Sequence, residues 1–510
     1  MLREAILLAV FVTIKSNTCV QRLVGPNAIV CVCNSTYCDA LHKPKLQAGQ
    51  FQFYTSTKNG ERLQLTIGNF STETINGTLL TVNSSQKDQE IFGFGAAMTD
   101  SVALNLRALS NNTQQKLLES YFGPPGIGIG YTHVRIPIGG TDFSTRPYTY
   151  HDIPDDITLS NFKLVEEDNY KIGYLHKIKR IMSDPESLRI LAVSWTAPIW
   201  MKTTNNIRWG ILKSEHYQTY ANYIRMFFDA YKRHGINIWG VSPSNEPLDG
   251  FYPKWSFNAM GWTPNASAFW SVNHLVPTLR QAGYNPVFLA MEDQRHLLPC
   301  YVDEMFTNEK VRELFSGITV HWYLDQYISP RRLIETHNKY PDKFILITEA
   351  CNGAAPLEVG GVDLGSWDRG EYYMSNIIEN LSYWVNGWID WNMALDINGG
   401  PNWSTNYVDS AIIVIPENDE FYKQPTYYAI SHVSNFVPRH SRKILSTGLE
   451  NNENVTAVAF LTPQKEIVVV AINKNDKPVN VTVKDNNADR KINLRLPAHS
   501  FNTLLYLANQ

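Results

Sequence analysis

The chain has 510 residues, 44% of them hydrophobic, and its 45 Lys and Arg residues nearly balance its 48 Asp and Glu residues, for a formal net charge of -3. This balance of interspersed charges, without a basic stripe that carries aromatics, argues against a polyanion or nucleic-acid binder. The length exceeds what one core can serve and predicts two or three domains.

The N-terminal residues predict a secreted protein. We interpret residues 1–17 as a cleaved signal peptide, because Arg3 precedes an apolar stretch, Ala5–Ile14, that is too short to span a bilayer. No later apolar run is long enough for a transmembrane helix. We therefore expect the secretory pathway and no transmembrane span.

Four of the six cysteines cluster near the N-terminus, at Cys19, Cys31, Cys33 and Cys38. A zinc site is the alternative, but Cys-X-Cys spacing without Cys-X-X-Cys or nearby paired histidines fits zinc poorly, and an oxidising compartment favours disulfides. Ten Asn-X-Ser/Thr sequons also indicate secretion. They lie at Asn34, Asn69, Asn76, Asn83, Asn111, Asn265, Asn380, Asn402, Asn454 and Asn480.

From residue 91 onward, short apolar runs alternate with helical patterns. One such pattern has apolar and aromatic residues at three- and four-residue spacing from Tyr217 to Tyr231, followed by Gly235 as a stop signal. The alternation predicts a closed parallel (β/α)8 barrel. The eight predicted strands are Ile91–Phe94, Thr132–Ile138, Ile190–Val193, Ile238–Ser242, Val287–Met291, Ile318–His321, Phe344–Thr348 and Trp388–Trp391.

Glu246 and Glu349 follow the fourth and seventh of these strands. A carboxylate just beyond a parallel strand faces the mouth of a barrel, where barrel enzymes carry out their chemistry. For either glutamate alone, the first-turn charge of the next helix is an equal alternative. Asn245 and Pro247 beside Glu246, and a second glutamate about a hundred residues later, favour the two-carboxylate arrangement of a glycosidase.

After about residue 440 the pattern becomes purely β. Alternating runs separated by turn-rich segments predict a β-sandwich, and residues 45–85 have the same character and are expected to complete it. The predicted C-terminal strands are Val455–Leu461, Glu466–Ile472, Val479–Val483 and Ile492–Leu496.

Aromatic residues are abundant, with 13 Trp and 26 Tyr. For each one, core packing is the simpler interpretation. Together, those at predicted strand ends suit a carbohydrate pocket. They are Trp195, Trp322, Tyr323, Trp388 and Trp391.

Nine motifs occur in a characteristic order from about Cys19 to the C-terminus. They are Gly93–Asp100, Asp142-Phe-Ser, Ser194-Trp-Thr-Ala-Pro, Asp293-Gln-Arg, Val320–Asp325, Thr348–Cys351, Leu364–Gly370, Asp390-Trp-Asn and Gly400-Pro-Asn-Trp403. In these motifs the chain resembles the glucosylceramidases of glycoside hydrolase family 30.

The resemblance implies a domain organisation. It adds a small antiparallel N-terminal sheet, with Cys19 paired to Cys31 and Cys33 to Cys38, to the barrel and the sandwich. The expected limits are 18–44 with 393–424 for the small sheet, 45–90 with 441–510 for the sandwich, and 91–392 with 425–440 for the barrel.

The resemblance also implies residue roles, with Glu246 as acid/base and Glu349 as nucleophile. A buried arginine, Arg135, is expected near both carboxylates. We expect a raised pKa for Glu246, because a second negative charge beside Glu349 is disfavoured. The expected substrate-binding residues are Asp142, Trp195, Asn245, Gln294, His321, Tyr323, Trp391 and Asn406.

The implied activity is the retaining hydrolysis of glucosylceramide to glucose and ceramide in the lysosome, on the lumenal membrane surface. We expect no metal and no organic cofactor, and by resemblance a saposin-type activator, anionic lipids and a lysosomal sorting receptor. The segments Leu248–Gly261 and Asn352–Val362, which are expected to line the entrance, depart from the family pattern. An endo-acting β-glycanase and a non-catalytic glycan- or lipid-binding protein are the alternatives.

Overall fold

A computed structural model describes residues 18–354, 360–449, 452–488 and 490–508. The predicted signal peptide lies outside these residues. Within them, no helix is both long and apolar enough to cross a bilayer.

The centre of the molecule is a closed barrel of eight parallel strands, each hydrogen-bonded to its neighbours in chain order. This confirms the predicted barrel, in which the fourth strand has three residues, Gly240–Ser242, and is shorter than expected. The barrel strands one to eight are Gly93–Ala97, His133–Ile138, Arg189–Ser194, Gly240–Ser242, Val287–Gln294, Phe315–His321, Phe344–Glu349 and Val385–Asn392.

Helices surround the barrel. The predicted helix around Tyr217–Tyr231 is confirmed as Tyr217–Arg233, and its aromatic and apolar face is buried. The other α-helices are Asp100–Arg107, Asn111–Phe122, Glu166–Ile181, Pro264–Trp270, Val276–Gln281, Cys300–Met305, Glu309–Leu314, Arg331–Lys339, Trp367–Ser382 and Pro425–Ser434.

A nine-stranded sheet carries both N-terminal and C-terminal strands, as the sequence predicts. It folds back on itself, because Phe53 and Val469 share a core with Val483 and Leu494 from strands far away in the sheet order. In sheet order, the strands are Arg490–Leu496, Val479–Asp485, Thr78–Glu90, Arg442–Thr447, Val455–Leu461, Glu466–Asn473, Ser500–Leu507, Gln50–Thr57 and Gln64–Asn69.

The small sheet has five strands, with Cys19–Cys31 and Cys33–Cys38 disulfides at its N-terminal end. It is antiparallel except for its last pair, which is parallel. The limits of the three domains stay a prediction. In sheet order, the strands are Gln21–Gly25, Ala28–Asn34, Glu420–Lys423, Ile412–Ile415 and Leu395–Asp396.

The sandwich is fixed to the barrel by buried contacts. The His432 ring bonds Thr503 Oγ1 at 2.9 Å and Ser56 Oγ at 2.8 Å. Trp367 stacks on Phe501 with ring centroids 4.3 Å apart. These contacts join the helices that follow barrel strands seven and eight to the nine-stranded sheet.

Candidate active site

A cavity of about 400 Å³ opens at the carboxyl end of the barrel strands. Eight of the eleven predicted site residues line it. Of the other three, Arg135 and His321 are buried against the lining glutamates, and Asn245 is buried against Arg135. The eight lining residues are Asp142, Trp195, Glu246, Gln294, Tyr323, Glu349, Trp391 and Asn406.

Glu246 lies in the loop after barrel strand four. Its φ of +37° is unusual for a residue with a side chain, so the loop turns sharply there. Gln294 Nε2 donates to Glu246 Oε1 at 2.8 Å, and His321 Nδ1 lies 3.1 Å from the same oxygen. Both contacts fix the direction of the carboxyl group.

Glu349 is the last residue of barrel strand seven. Tyr323 donates its hydroxyl to Glu349 Oε1 at 2.7 Å, and Arg135 Nη1 donates to Oε2 at 2.6 Å. A carboxylate that accepts from a guanidinium and a phenol is held in one orientation.

The two glutamates lie close together. Oxygens of Glu246 and Glu349 and a ring nitrogen of His321 all lie within 4.8 Å of one another. Carboxyl groups are about 5–5.5 Å apart in retaining glycosidases and about 6.5–9.5 Å apart in inverting ones, which need room for a water molecule. The separation therefore fits direct attack by one carboxylate.

Arg135 is fully buried in the centre of the site. It donates to Glu292 Oε1 at 3.1 Å and to Asn245 Oδ1 at 2.5 Å. Its guanidinium lies 4.9 Å from the Trp195 ring centroid and 5.1 Å from that of Trp391. Arg135 thereby links the strands that carry the catalytic candidates.

Glu292 was not predicted from the sequence, although it belongs to the ionic centre of the site. Met291 and Glu292 have φ of +78° and +64°, and the pairing with the next barrel strand shifts between Met291 and Asp293. This bulge turns the Glu292 side chain towards Arg135. The charged run Glu292-Asp293 at a strand end was the only signal for it.

The buried charges shift several pKa values. Burial lowers the pKa of His321, but Glu349 and hydrogen bonds with Glu246 and Glu292 raise it to about 10. Burial raises the pKa of Glu292, yet Arg135 and then His321 lower it to about 2. His321 and Arg135 therefore supply the positive charge that faces these carboxylates.

The expectation of a raised pKa for Glu246 is wrong. Burial acts to raise it, but the hydrogen bond and charge of His321, with Asp249 and Arg135, lower it below its usual value. For Glu349, burial raises the pKa above its usual value despite the opposing charges of His321 and Arg135. The sequence could not reveal how many cations would surround each carboxyl group.

One wall of the pocket is suited to sugar hydroxyls. Asp142 accepts from Asn406 Nδ2 at 2.9 Å and from Asn402 Nδ2 at 3.3 Å, and burial raises its pKa to about 7. The Trp195 and Trp391 rings stack beside it with centroids 5.4 Å apart. Asn402 was predicted only as a sequon, but its side chain is buried and bonded here.

The outer rim is aromatic. Tyr252, Trp255 and Phe257 from the segment Leu248–Gly261 line the cavity, and Tyr252 is 60% exposed. Of the second expected entrance segment, residues 355–359 lie outside the described part of the chain. The rim therefore offers apolar surface next to the polar floor.

A (β/α)8 barrel with paired carboxylates in an aromatic pocket defines a glycoside hydrolase. The chain matches the glycosyl hydrolase family 30 TIM-barrel domain over residues 91–437 and the β-sandwich domain of that family over residues 440–504. It belongs to glycoside hydrolase family 30.

Named relatives share most of the chain. The lysosomal acid glucosylceramidase of Mus musculus is 41% identical over 477 residues, which cover 92% of this chain and 91% of that protein. SrfJ from Salmonella typhimurium superimposes with a TM-score of 0.82 at 25% identity, covering 90% of this chain and 99% of SrfJ. The endo-β1,6-glucanase BT3312 superimposes with a TM-score of 0.78 at 26% identity, covering 90% and 100%.

Proposed function

We propose that this protein is a retaining β-glucosidase that hydrolyses glucosylceramide to glucose and ceramide. The observation that carries the proposal is the short separation of Glu246 and Glu349, since a carboxylate oxygen of one lies within 4.8 Å of a carboxylate oxygen of the other. The choice of substrate is supported by the 41% identity to the mouse lysosomal glucosylceramidase.

In the first step, a Glu349 oxygen bonds to the anomeric carbon while the bond to the ceramide oxygen breaks. Glu246 gives its proton to that oxygen, so ceramide leaves as a neutral alcohol. Arg135 and Tyr323 hold Glu349 in line for the attack. The product is a glucosyl ester of Glu349 with inverted configuration.

In the second step, water bonds to the anomeric carbon and the ester bond to Glu349 breaks. The ionised Glu246 takes the proton of that water, which restores the starting protonation states and the β-configuration. Hydrogen bonds between the sugar hydroxyls and groups such as Asp142 strengthen as the ring flattens in each transition state.

Covalent trapping tests the assignment of Glu349. A 2-fluoro glucoside or a cyclitol epoxide should label Glu349 alone, because both reagents form a stable ester with the attacking carboxylate. Peptide mapping by mass spectrometry locates the label. A label on any other residue would contradict the proposed nucleophile.

The second candidate function is an endo-β-glucanase, which the similarity to BT3312 favours. Turnover of glucosylceramide, galactosylceramide and a β-1,6-glucan under one set of conditions separates the two. We expect cleavage of glucosylceramide and little of the others. Preferred release of oligosaccharides from the glucan would replace the first proposal with the second.

We extend the proposal to the setting of the reaction. The protein reaches the lysosome through the secretory pathway with a sorting receptor, and a saposin-type activator with anionic lipids presents the substrate. Supporting observations are the two disulfides, which form in oxidising compartments, and the exposed Phe251 and Tyr252 at the rim. Activity on anionic vesicles should exceed that on zwitterionic ones and rise further with the activator.

The proposed reaction uses no metal and no organic cofactor, because side chains supply the acid, the nucleophile and the compensating charge. Turnover of glucosylceramide should therefore be the same before and after treatment with a chelator. A loss that added divalent cations restore would contradict this part of the proposal.

A further inference from the structure

Asp249 lies three residues after the proposed acid/base, in a short turn that returns towards it. The Asp249 amide donates to the Glu246 carbonyl oxygen at 3.0 Å, and both side chains line the same cavity. This aspartate has no role in the mechanism above.

The turn has a fixed position. A Cβ atom on Gly250 would lie 1.8 Å from the Gly261 nitrogen and 2.2 Å from the Met260 carbonyl carbon, so the two backbones are in close contact. The Trp262 amide donates to the Pro247 carbonyl oxygen at 2.9 Å on the other side of the turn. The carboxyl group of Asp249 is thereby held beside Glu246.

Among the described residues, Asp249 Oδ2 is a buried oxygen without a hydrogen-bond partner. A buried carboxylate oxygen that accepts no hydrogen bond is strongly disfavoured, whereas a protonated oxygen can donate to a nearby acceptor. The neighbouring acceptor is the carboxyl group of Glu246, with which Asp249 interacts directly.

The surrounding negative charges also raise the pKa of Asp249. Burial and the negative charges of Glu246, Asp293 and Glu349 raise the pKa of Asp249 to about 11. Asp293, on barrel strand five, has its own pKa raised to about 7 by burial and by Glu246. These charges and the burial thus favour the un-ionised form of Asp249.

The cations of the site act on Glu246. His321 on barrel strand six and Arg135 on barrel strand two act on Glu246, and Gln294 donates to it. The hydrogen bond with Asp249 adds to these effects and lowers the pKa of Glu246 further. The two neighbouring carboxyl groups thus differ, because Glu246 Oε1 has Gln294 and His321 as partners, whereas Asp249 Oδ2 has none within the described part of the chain.

We propose that Asp249 is a positioning residue that stays protonated and donates a hydrogen bond to Glu246, which makes Glu246 a stronger acid and confines activity to acidic pH. The inference rests on the proposed function, since it assigns Glu246 as the acid/base. No bond to Asp249 forms or breaks during the reaction, and its proton stays in place in both steps.

Two variants of Asp249 test whether its side chain donates a hydrogen bond to Glu246. Asp249→Asn keeps a neutral donor of the same shape, and Asp249→Ala removes it. We measure kcat/KM against pH on a short alkyl β-glucoside, whose leaving group needs protonation. Asp249→Asn should keep the basic limb of the unchanged protein, and Asp249→Ala should move it about one unit to higher pH, because the pKa of Glu246 rises without the donor.

Two other outcomes would overturn the inference. If Asp249 were ionised, both variants would move the basic limb to lower pH, because each removes a negative charge. If it were merely structural, neither would move the limb. Asp342→Asn, which changes an exposed aspartate paired with Arg312 before barrel strand seven, is the control and should leave the profile unchanged.

A second measurement is independent of turnover. The infrared spectrum of the unchanged protein at pH 8 should contain the carbonyl band of an un-ionised carboxylic acid that Asp249→Asn lacks. An identical band in both proteins would contradict the inference. If the alkyl glucoside is not hydrolysed by the unchanged protein, the proposed function fails, and the infrared result still decides the protonation state of Asp249.

Discussion

At the level of single residues, the roles of Glu246 and Glu349 can be separated with azide. Glu246→Ala should still form the glucosyl ester from a nitrophenyl glucoside, because that leaving group needs little protonation. The ester should accumulate, and azide, which needs no general base, should release it as β-glucosyl azide.

Glu349→Ala removes the first attack instead. With azide it should give at most the α-glucosyl azide, from a single displacement. Product configuration by NMR distinguishes the two variants, and the same anomer from both would contradict the assigned roles.

The opposite pKa shifts of these two residues predict a narrow acidic bell of low height. The reaction needs Glu349 ionised and Glu246 protonated, but the raised pKa of Glu349 and the lowered pKa of Glu246 favour the opposite placement of a single proton. The reacting form is therefore a minor fraction of the singly protonated protein, and its population falls when the pair gains a second proton at low pH or loses its proton at higher pH. The bell reports the pair, not single residues. A flat rate from acidic to mildly alkaline pH would contradict it.

Replacing Arg135 should destabilise the protein by an amount that depends on pH. Arg135→Met removes one of the two buried cations, the other being His321, from Glu292 and Glu349, and should lower the free energy of unfolding by about 3–5 kcal/mol at pH 7. The pKa of Glu292 is depressed to about 2, so the stability it contributes is present above its unfolded pKa and is lost as pH falls through the folded value. In the variant, which lacks the guanidinium, both glutamates should take up protons by pH 4, so the stability deficit relative to the unchanged protein should be smaller there than at pH 7.

Urea unfolding at both pH values measures this deficit. The control is Arg312→Met, since Arg312 is 37% exposed and its pair with Asp342 lies at the surface. Arg312→Met should lower the free energy of unfolding by no more than about 1 kcal/mol. An equal loss for the two variants would contradict a special role of Arg135 in stability.

At the level of elements, the surroundings of two glycines predict opposite effects of a Gly→Ala substitution on stability. Gly173 is exposed within the helix Glu166–Ile181, and a Cβ there would meet nothing within 4 Å. Gly173→Ala should stabilise the protein by about 0.5–1 kcal/mol, because alanine is the better helix former.

Gly250→Ala should instead lower both stability and activity, since its Cβ would lie 1.8 Å from a backbone atom of the acid/base loop. Thermal unfolding and turnover measure both effects. If Gly250→Ala changed neither thermal stability nor turnover, the turn would be free to move.

The sequence predicts elements better than it predicts their irregularities. The eight barrel strands and the two glutamates follow from periodicity and from the position of a residue at a strand end. Glu292 needs a bulge, Asp249 needs a turn, and Asn402 reaches Asp142 through a loop 260 residues away in sequence. Such contacts depend on tertiary structure and leave no local pattern.

The burial of particular sequons also required the structure. Asn380 is fully buried in the helix Trp367–Ser382, and its amide donates to Asp325 at 3.2 Å. Together with the buried Asn402, it lacks room for a glycan in the folded protein. Exposed sequons such as Asn69, Asn111 and Asn265 have no such restriction.

At the level of the whole molecule, the barrel depends on the sandwich. A chain that ends at residue 437 would expose Trp367 and His432, which contact Phe501 and Thr503 in the full protein. We expect this shortened chain to aggregate and to lack activity, as measured by light scattering and aryl glucoside turnover. A soluble, active barrel would contradict the dependence.

The connection between the chain ends also determines when the protein can fold during synthesis. Gln50–Thr57 pairs with Ser500–Leu507, and Ala28–Asn34 pairs with Glu420–Lys423. At about 5–20 residues per second, a ribosome needs tens of seconds between making the first strands and making their partners. These early strands therefore keep one unpaired edge for that time, although the local hairpins and the two local disulfides near the N-terminus can already form.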